Sequence, residues 1–264
     1  MEPQAYRIYQ RNECAVFLRT AEQFGGLSNM AGGYHLSING IRVLTSEALY
    51  QACRFPHLPD VQQLIIGQTS PMAAKMKSKP YRKDSRLDWD AARINIMRWC
   101  LRVKLVQNWE KFGELLLSTG NKPIVEESYR DPFWGAKPIN SETLSGMNIL
   151  GRLLVELREK LRDLEASRLW VVEPPPLPQF LLLGRQISLI EIAKPKTISI
   201  CETREQALGN MKPSISDRIV ISKAEVNTYT ELGETDSHIS AIEMTGGNFG
   251  PGVTVIQHEL FEMG

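Results

Sequence analysis

The chain has no CxxC pair, no HExxH, no Walker loop, no GxSxG elbow and no GxGxxG following a strand. These absences count against a zinc ribbon, a zincin, a nucleoside-triphosphatase, an α/β-hydrolase and a dinucleotide-binding enzyme. Cysteine is scarce: Cys14, Cys53, Cys100 and Cys201 stand far apart, which excludes a dense disulfide framework. Free, mostly buried thiols in a reducing cytoplasm are the simplest expectation. His35, His57, His238 and His258 share no i, i+4 spacing, so no metal constellation is expected. Long apolar runs are missing too. Phe180 to Leu183 is far below the ~18 residues that span a bilayer, and the N-terminus lacks the apolar core of a secretory signal. The expectation is a cytoplasmic protein with no membrane contact.

What is present is ordinary globular material. The 264 residues are 42% hydrophobic and 23% charged, which excludes disorder and fibrous repeats. At ~100–200 residues per domain this makes one large domain or two small ones. The net charge of +1 conceals an asymmetry: 24 basic against 19 acidic residues up to Glu173, and 7 against 11 afterwards. Lys75 to Lys104 alone holds ten basic and three acidic residues. Such a field attracts phosphates or nucleic acid, although a solvated helix face reads the same way.

Four prolines in Pro174-Pro175-Pro176-Leu177-Pro178 exclude a helix or central strand and read as a stiff connector. Before them helical periods dominate; after them short β-branched runs do. Helices are expected over Ser46–Phe55, with Ser46 as cap, over Asp88–Asn108 and over Met147–Glu165. Tyr34–Ile38 and Ile41–Leu44 flank Asn39-Gly40, a two-residue hairpin signal. After the prolines, strands are expected near 187–192, 197–201, 218–221, 238–244 and 253–258, with a short helix near 204–210. The fold class is α+β: a mainly helical domain over 1–173 with a small β-element, a linker over 174–179, and a smaller β-rich domain over 180–264.

Polar and aromatic residues gather at element edges. Ser28-Asn29 follows Gly25-Gly26, Glu47 opens a helix, Lys75 lies in a basic segment, and Trp89 follows a helix start. Asp131 and Trp134 share an Asp-Pro turn. Each has a plain structural alternative: dipole stabilisation for Glu47, turn formation for Asp131, packing for the tryptophans, solvation for Lys75.

The ordered motifs are more telling than any one residue. They run Phe24…Leu27-Ser28-Asn29-Met30, Ser46-Glu47-Ala48…Tyr50-Gln51-Ala52, Ala74-Lys75, Arg86…Asp88-Trp89, Lys104…Gln107, Leu115-Leu116…Thr119-Gly120, Val125-Glu126…Ser128…Asp131…Trp134-Gly135, and Gly146…Asn148…Leu150-Gly151…Leu154…Arg158. From about Phe17 to Leu164 the chain resembles the NADAR (YbiA-like) family. The resemblance implies cleavage of an N-glycosidic bond to ribose, with no cofactor and no metal. One branch hydrolyses ribosylamino-pyrimidine intermediates of riboflavin synthesis. Another removes ADP-ribose from guanine in DNA, as antitoxin to DarT-type ADP-ribosyltransferase toxins. The wording of 46–59 and 70–81 is closer to the second branch.

Both substrates join ribose C1 to an exocyclic amine on an electron-poor heterocycle. Direct cleavage needs an acid at the leaving nitrogen and a carboxylate near C1, roles that Glu47 and Asp131 fit. Ring opening followed by amine exchange needs a lysine of lowered basicity, and Lys75 fits that route. Trp89 and Trp134 are expected to stack on the base or the adenine, and amides at Ser28, Asn29 and Gly135 to bind phosphate or ribose hydroxyls. Arg82, in the Lys75 to Lys83 cluster, is expected to meet a diphosphate. Tyr50 and Asn148 follow the family pattern as substrate contacts; Arg158 also matches, and reads better as an ion-pair residue. The leading function is an ADP-ribosyl-guanine hydrolase acting on DNA and releasing ADP-ribose. The alternatives are a riboflavin-intermediate hydrolase and a non-catalytic ADP-ribose or NAD reader. The acidic C-terminal part is expected to dock a partner such as the toxin.

Overall fold

The computed structural model describes residues 5–162 and 170–193. Strand β1 (Arg7–Gln10) pairs antiparallel with β7 (Thr143–Gly146), which also pairs with β6 (Lys137–Pro138). Strand β2 (Ala15–Phe17) runs parallel to β5 (Ile124–Glu126), and β3 (Leu36–Ile38) and β4 (Ile41–Val43) form the expected hairpin. Its two-residue turn places Asn39 at φ 52 and Gly40 at φ 78. Positive φ at both turn positions is what an Asn-Gly pair supplies at little steric cost.

The helices α1 (Ser46–Ala52), α4 (Trp89–Gln107) and α6 (Ile149–Arg162) match the expected ones, with ends trimmed by a few residues. The cap of α1 is Thr45, not Ser46: its hydroxyl accepts from the Ala48 amide at 3.2 Å. Ser46 is instead buried, donating its hydroxyl to the Asn29 carbonyl at 3.2 Å. Every residue of α1 is buried, so its polar side chains must find partners inside the protein.

Helices α2 (Pro59–Ile66) and α3 (Pro71–Ser78) were not expected from the sequence. Each has proline in its first turn, where a missing N–H costs nothing, and Ser70 caps α3 through the Ala73 amide at 3.1 Å. Helix α4 passes into a π-type turn over Trp109–Gly113 before the short α5 (Glu114–Ser118).

The proline run does not separate two cores. All described residues belong to one compact unit. Trp170, Val172, Phe180, Leu182, Ile187 and Ile190 are buried in the same core as α1 and α4. Across the prolines β8 (Val171–Val172) pairs with β11 (Ile190–Glu191), and β9 (Leu181–Leu182) pairs with β10 (Arg185–Gln186). Phe180 sets its ring edge against Trp99 at 5.0 Å, and Trp170 does the same against Trp109 at 5.3 Å. Buried Gln62 accepts from the Leu183 amide at 2.7 Å and donates to the Leu181 carbonyl at 2.9 Å. The expected boundary at 174–179 is thereby corrected: the prolines carry the chain stiffly over the surface, and apolar burial draws the following segment back. The remaining expected elements, from the strand at 197–201 through that at 253–258, lie outside the described residues. No described helix is long and apolar enough to cross a membrane.

Candidate active site

Four segments meet around Glu47: the loop 25–30, α1, the end of β5, and the turn 128–135. The loop is anchored from below by Lys104 of α4. This fully buried ammonium donates to the carbonyls of Gly26 at 2.7 Å and Ser28 at 3.0 Å. It also faces the rings of Tyr34 and Phe112, each at 4.3 Å. Burial and the neighbouring Lys111 push its basicity well below the ordinary lysine value. Carbonyl and ring contacts offset that cost.

Glu47 is buried, yet both of its carboxylate oxygens are engaged. Oε2 accepts from Asn29 Nδ2 at 2.8 Å, and Oε1 accepts from Gln51 Nε2 at 2.9 Å. Ser78 of α3 in turn donates to Gln51 Oε1 at 2.8 Å. The Oδ1 of Asn29 is buried without a hydrogen-bond partner. That lone acceptor, fixed by the bond on the other end of its amide, belongs to a group built to meet something else.

Glu126 is the residue that sequence reasoning missed as an acid. It ends β5, next to Glu127. Alternation along the strand sends the two side chains to opposite faces. Glu127 meets Arg11 in a bidentate pair at 2.6 and 2.7 Å. Glu126 accepts no hydrogen bond at its carboxylate among the described residues. Burial, then the charges of Glu47 and Asp131, push its pKa up to about 7, against the opposing charge of Lys75. Glu47, Lys75 and Asp131, scattered in the sequence, therefore all act on Glu126. Only tertiary pairing reveals which of two adjacent glutamates is neutralised; the sequence signal was limited to a polar residue closing a buried run.

Asp131 has a double role. Its Oδ1 accepts from the amides of Phe133 and Trp134, both at 3.0 Å, which is the turn-forming alternative. Its charge still acts on Glu126. Asn148 sits at φ 47 and is buried. It clamps β5, accepting from the Glu126 amide at 3.1 Å and donating to the Ile124 carbonyl at 2.9 Å. Both ends of its carboxamide are thus spent on backbone, so it positions Glu126 rather than touching substrate. Gly135 is required by close approach, since a Cβ there would lie 2.5 Å from the Glu126 carbonyl. Its amide is used by the Asp131 carbonyl at 3.3 Å, and the Ser28 amide by Gly25 at 3.1 Å. The expectation that these two amides hold phosphate is corrected accordingly.

The aromatic wall has Tyr50 at its centre. Tyr50 lies 5.1 Å from Trp89 and 5.6 Å from Trp134, centroid to centroid, and Trp134 lies 5.0 Å from Phe133. Trp89 is buried, with Tyr50 on one side and the Arg54 guanidinium 4.6 Å over its ring. It packs within the wall, whereas Trp134 is only half-buried. The Tyr50 hydroxyl makes no hydrogen bond among the described residues; burial and Glu47 hold its proton firmly, against the pull of Arg93 and Arg54.

Lys75 and Arg82 are exposed on the rim, one on α3 and the other in the 3-10 stretch that follows it. The burial that would prepare Lys75 as an amine nucleophile is not provided. Arg158 is buried as a structural residue, bonded to Thr119, Glu159 and the Lys122 carbonyl. Among the described residues, no group of three or more His, Cys, Asp or Glu is placed to hold a metal ion.

Comparison with known proteins agrees with this frame. The NADAR domain family matches residues 16–162. The N-glycosidase YbiA of Escherichia coli is 33% identical over 145 residues, covering 55% of this chain and 86% of that protein. An N-glycosidase of Nostoc punctiforme is 30% identical over 150 residues, 56% of this chain and 92% of its own. A riboflavin biosynthesis protein of Vibrio vulnificus is 30% identical over 147 residues, 56% of this chain but 38% of that protein. The NMR structure of Escherichia coli YbiA superimposes with a TM-score of 0.49 at 31% identity, covering 58% of this chain and 90% of that one. With the family match spanning more than half its length and taking in Glu47, Glu126, Asp131 and Asn148, the chain belongs to the NADAR family.

Proposed function

We propose that the protein is an N-glycosyl hydrolase that cleaves the bond between ribose C1 and an exocyclic amine. The observation that carries this reading is Glu126, a carboxyl group pushed up to about 7 by burial and by Glu47 and Asp131. Near neutral pH such a group is partly protonated and suits general acid work. Glu126 gives its proton to the leaving nitrogen as the C1–N bond breaks and its electron pair leaves with the amine. The Glu47 side chain, fixed by Asn29 and Gln51, stabilises the oxocarbenium-like C1 and orients the attacking water. Water supplies the new C1–O bond, and its proton restores the acid. Asp131 contributes charge to Glu126 and shapes the turn that presents Trp134. A ligand reader has no use for a carboxyl group tuned in this way, which disfavours the purely binding reading.

The substrate we favour is ADP-ribosylated guanine in DNA, made by a DarT-type transferase. In support, Lys75, Lys77, Lys79, Arg82 and Lys83 form an exposed basic surface on α3 and the stretch after it, and Lys75 is near enough to act on Glu126. A polyanion gains from such a surface. The names of the relatives favour a second reading, hydrolysis of ribosylamino-pyrimidines. The test offers each substrate to the purified chain. Free ADP-ribose released from a modified oligonucleotide supports the first reading; turnover of the ribosylamino-pyrimidine alone supports the second; neither removes the glycosidase proposal. Borohydride trapping of a protein–ribose adduct reads the alternative route through Lys75.

A further inference from the structure

The acid chemistry leaves two guanidinium groups near Tyr50 unused. Arg54 lies 4.6 Å over the Trp89 ring and is fixed by an Nε bond to Ser85 Oγ at 2.6 Å. Ser85 Oγ also lies 2.6 Å from the Arg82 carbonyl, tying Arg54 to the segment that carries Arg82. Arg93 lies 3.9 Å over the Phe133 ring, and its Nε is buried without a hydrogen-bond partner. Asp90, almost wholly exposed, is 3.8 Å from that Nε, beyond hydrogen-bond reach.

Two arginines elsewhere in the protein are held by carboxylates instead. Arg11 meets Glu127 in a bidentate pair, and Arg86 does the same with Asp88. Burial disfavours the charge of Arg54, as do the like charges of Arg82 and Arg93, while Tyr50 and the exposed Asp90 act the other way. With one solvent-exposed carboxylate beside three guanidinium groups, a further anion is favoured there. Stacking on a ring fixes the plane of a guanidinium and leaves its N–H edge pointing outward, so little further order is lost when the edge binds an oxyanion. Tyr50 places the cluster: its hydroxyl is acted on by Glu47 and also by Arg93 and Arg54. One hydroxyl is therefore within electrostatic reach of Glu47 and of both guanidinium groups.

We infer that Arg54 and Arg93, flanked by Arg82, form a phosphate subsite that holds the phosphoryl or diphosphate group of the substrate whose glycosylamine meets Glu126. The placement of that group within a substrate rests on the glycosidase reading; the anion site itself rests on the arginines alone. The sequence had assigned the phosphate to the Lys75 to Lys83 cluster and to backbone amides. The subsite lies instead on α4 and just past α1, on the far side of Tyr50 from Glu47 in the chain of contacts.

Calorimetric titration with inorganic pyrophosphate reads the subsite without turnover. The intact protein binds, and Arg93→Met weakens binding by about tenfold or more. Arg93→Lys recovers part of it, because a lysine keeps the charge and loses the planar fork. Arg54→Met is the second variant, with a melting curve confirming that each variant folds. No pyrophosphate binding by the intact protein, or binding by both Met variants as tight as that of the intact protein, overturns the inference. Kinetics then place the ligand: Arg93→Met raises KM for a phosphorylated ribosylamine by about tenfold more than for its dephosphorylated counterpart. Equal losses on the two overturn the assignment to substrate phosphate. Should neither ribosylamine nor ADP-ribosyl-guanine be hydrolysed, the glycosidase reading fails while pyrophosphate affinity still decides the subsite.

Discussion

Asn148 holds Glu126 by the backbone: its Oδ1 accepts from the Glu126 amide at 3.1 Å while its Nδ2 donates to the Ile124 carbonyl at 2.9 Å. The acid is thus aimed by a residue at the start of α6 that sits at φ 47. Asparagine suits both demands, since it tolerates left-handed backbone and offers a donor and an acceptor. Asn148→Gly keeps the backbone conformation and removes the clamp. It is expected to lower kcat more than it raises KM, with a loss of stability of about 1–3 kcal/mol from two unpaired buried backbone groups. Steady-state kinetics beside a denaturant titration separate the two effects.

Glu126→Gln is expected to cut the hydrolytic rate by about 10²–10⁴. The same change has an opposite signature in stability. The folded pKa of about 7 lies above the usual value of 4.5. Stability linked to this proton is therefore full below about 4.5 and is lost as pH rises through about 7. Glutamine carries no such charge, so relative to the parent the variant gains stability between pH 5 and pH 8. Urea midpoints at the two pH values read the gain. A variant that is both inactive and more stable above neutrality marks a group strained for function.

Lys104→Met removes the ammonium that holds the Gly26 and Ser28 carbonyls. The expected cost is about 2–5 kcal/mol, as for breaking a buried charged network. Loss of the loop anchor also frees Asn29 from Glu47, so the residual activity at a temperature where the variant is folded falls in kcat. Thermal melting and kinetics at 10 °C below the variant's midpoint, roughly twice the shift of ~4–8 °C per kcal/mol seen in small domains, keep the two apart.

Phe180→Ala is expected to destabilise by about 3–5 kcal/mol, the usual scale for a fully buried aromatic. A chain ending at residue 173 leaves Trp99 without its Phe180 contact and is expected to fold less stably than the full chain. Equal melting midpoints for the two chains contradict the single core described above.

The parts of this molecule that the sequence disclosed are those with enough residues to show a period. Helices α4 and α6 and the Asn39-Gly40 hairpin fall in that class. Helices α2 and α3, at eight residues each, are too short for a stripe to stand out, and the two-residue strands after the prolines have no period at all. The proline run was read as a separation, but a proline-rich stretch does not say where the apolar residues beyond it will go, and here they join the common core. In the site, Glu47, Asp131 and Lys75 were legible as charged groups at element edges, and all three act on Glu126. Trp89 was misplaced because burial depends on Arg54 and Tyr50 closing over it. Glu126 was hidden by its neighbour Glu127, since pairing with Arg11 is decided across 116 positions of chain.

The central claim is that Glu126 delivers the proton to the leaving amine, and the pH dependence of kcat/KM, which reports groups of the free enzyme, measures it. The account predicts a rate that falls as pH rises through about 7 in the parent, and a profile in Glu126→Gln that is uniformly low and without that limb. A parent profile flat from pH 5 to 9, or a Glu126→Gln protein with undiminished turnover, contradicts it.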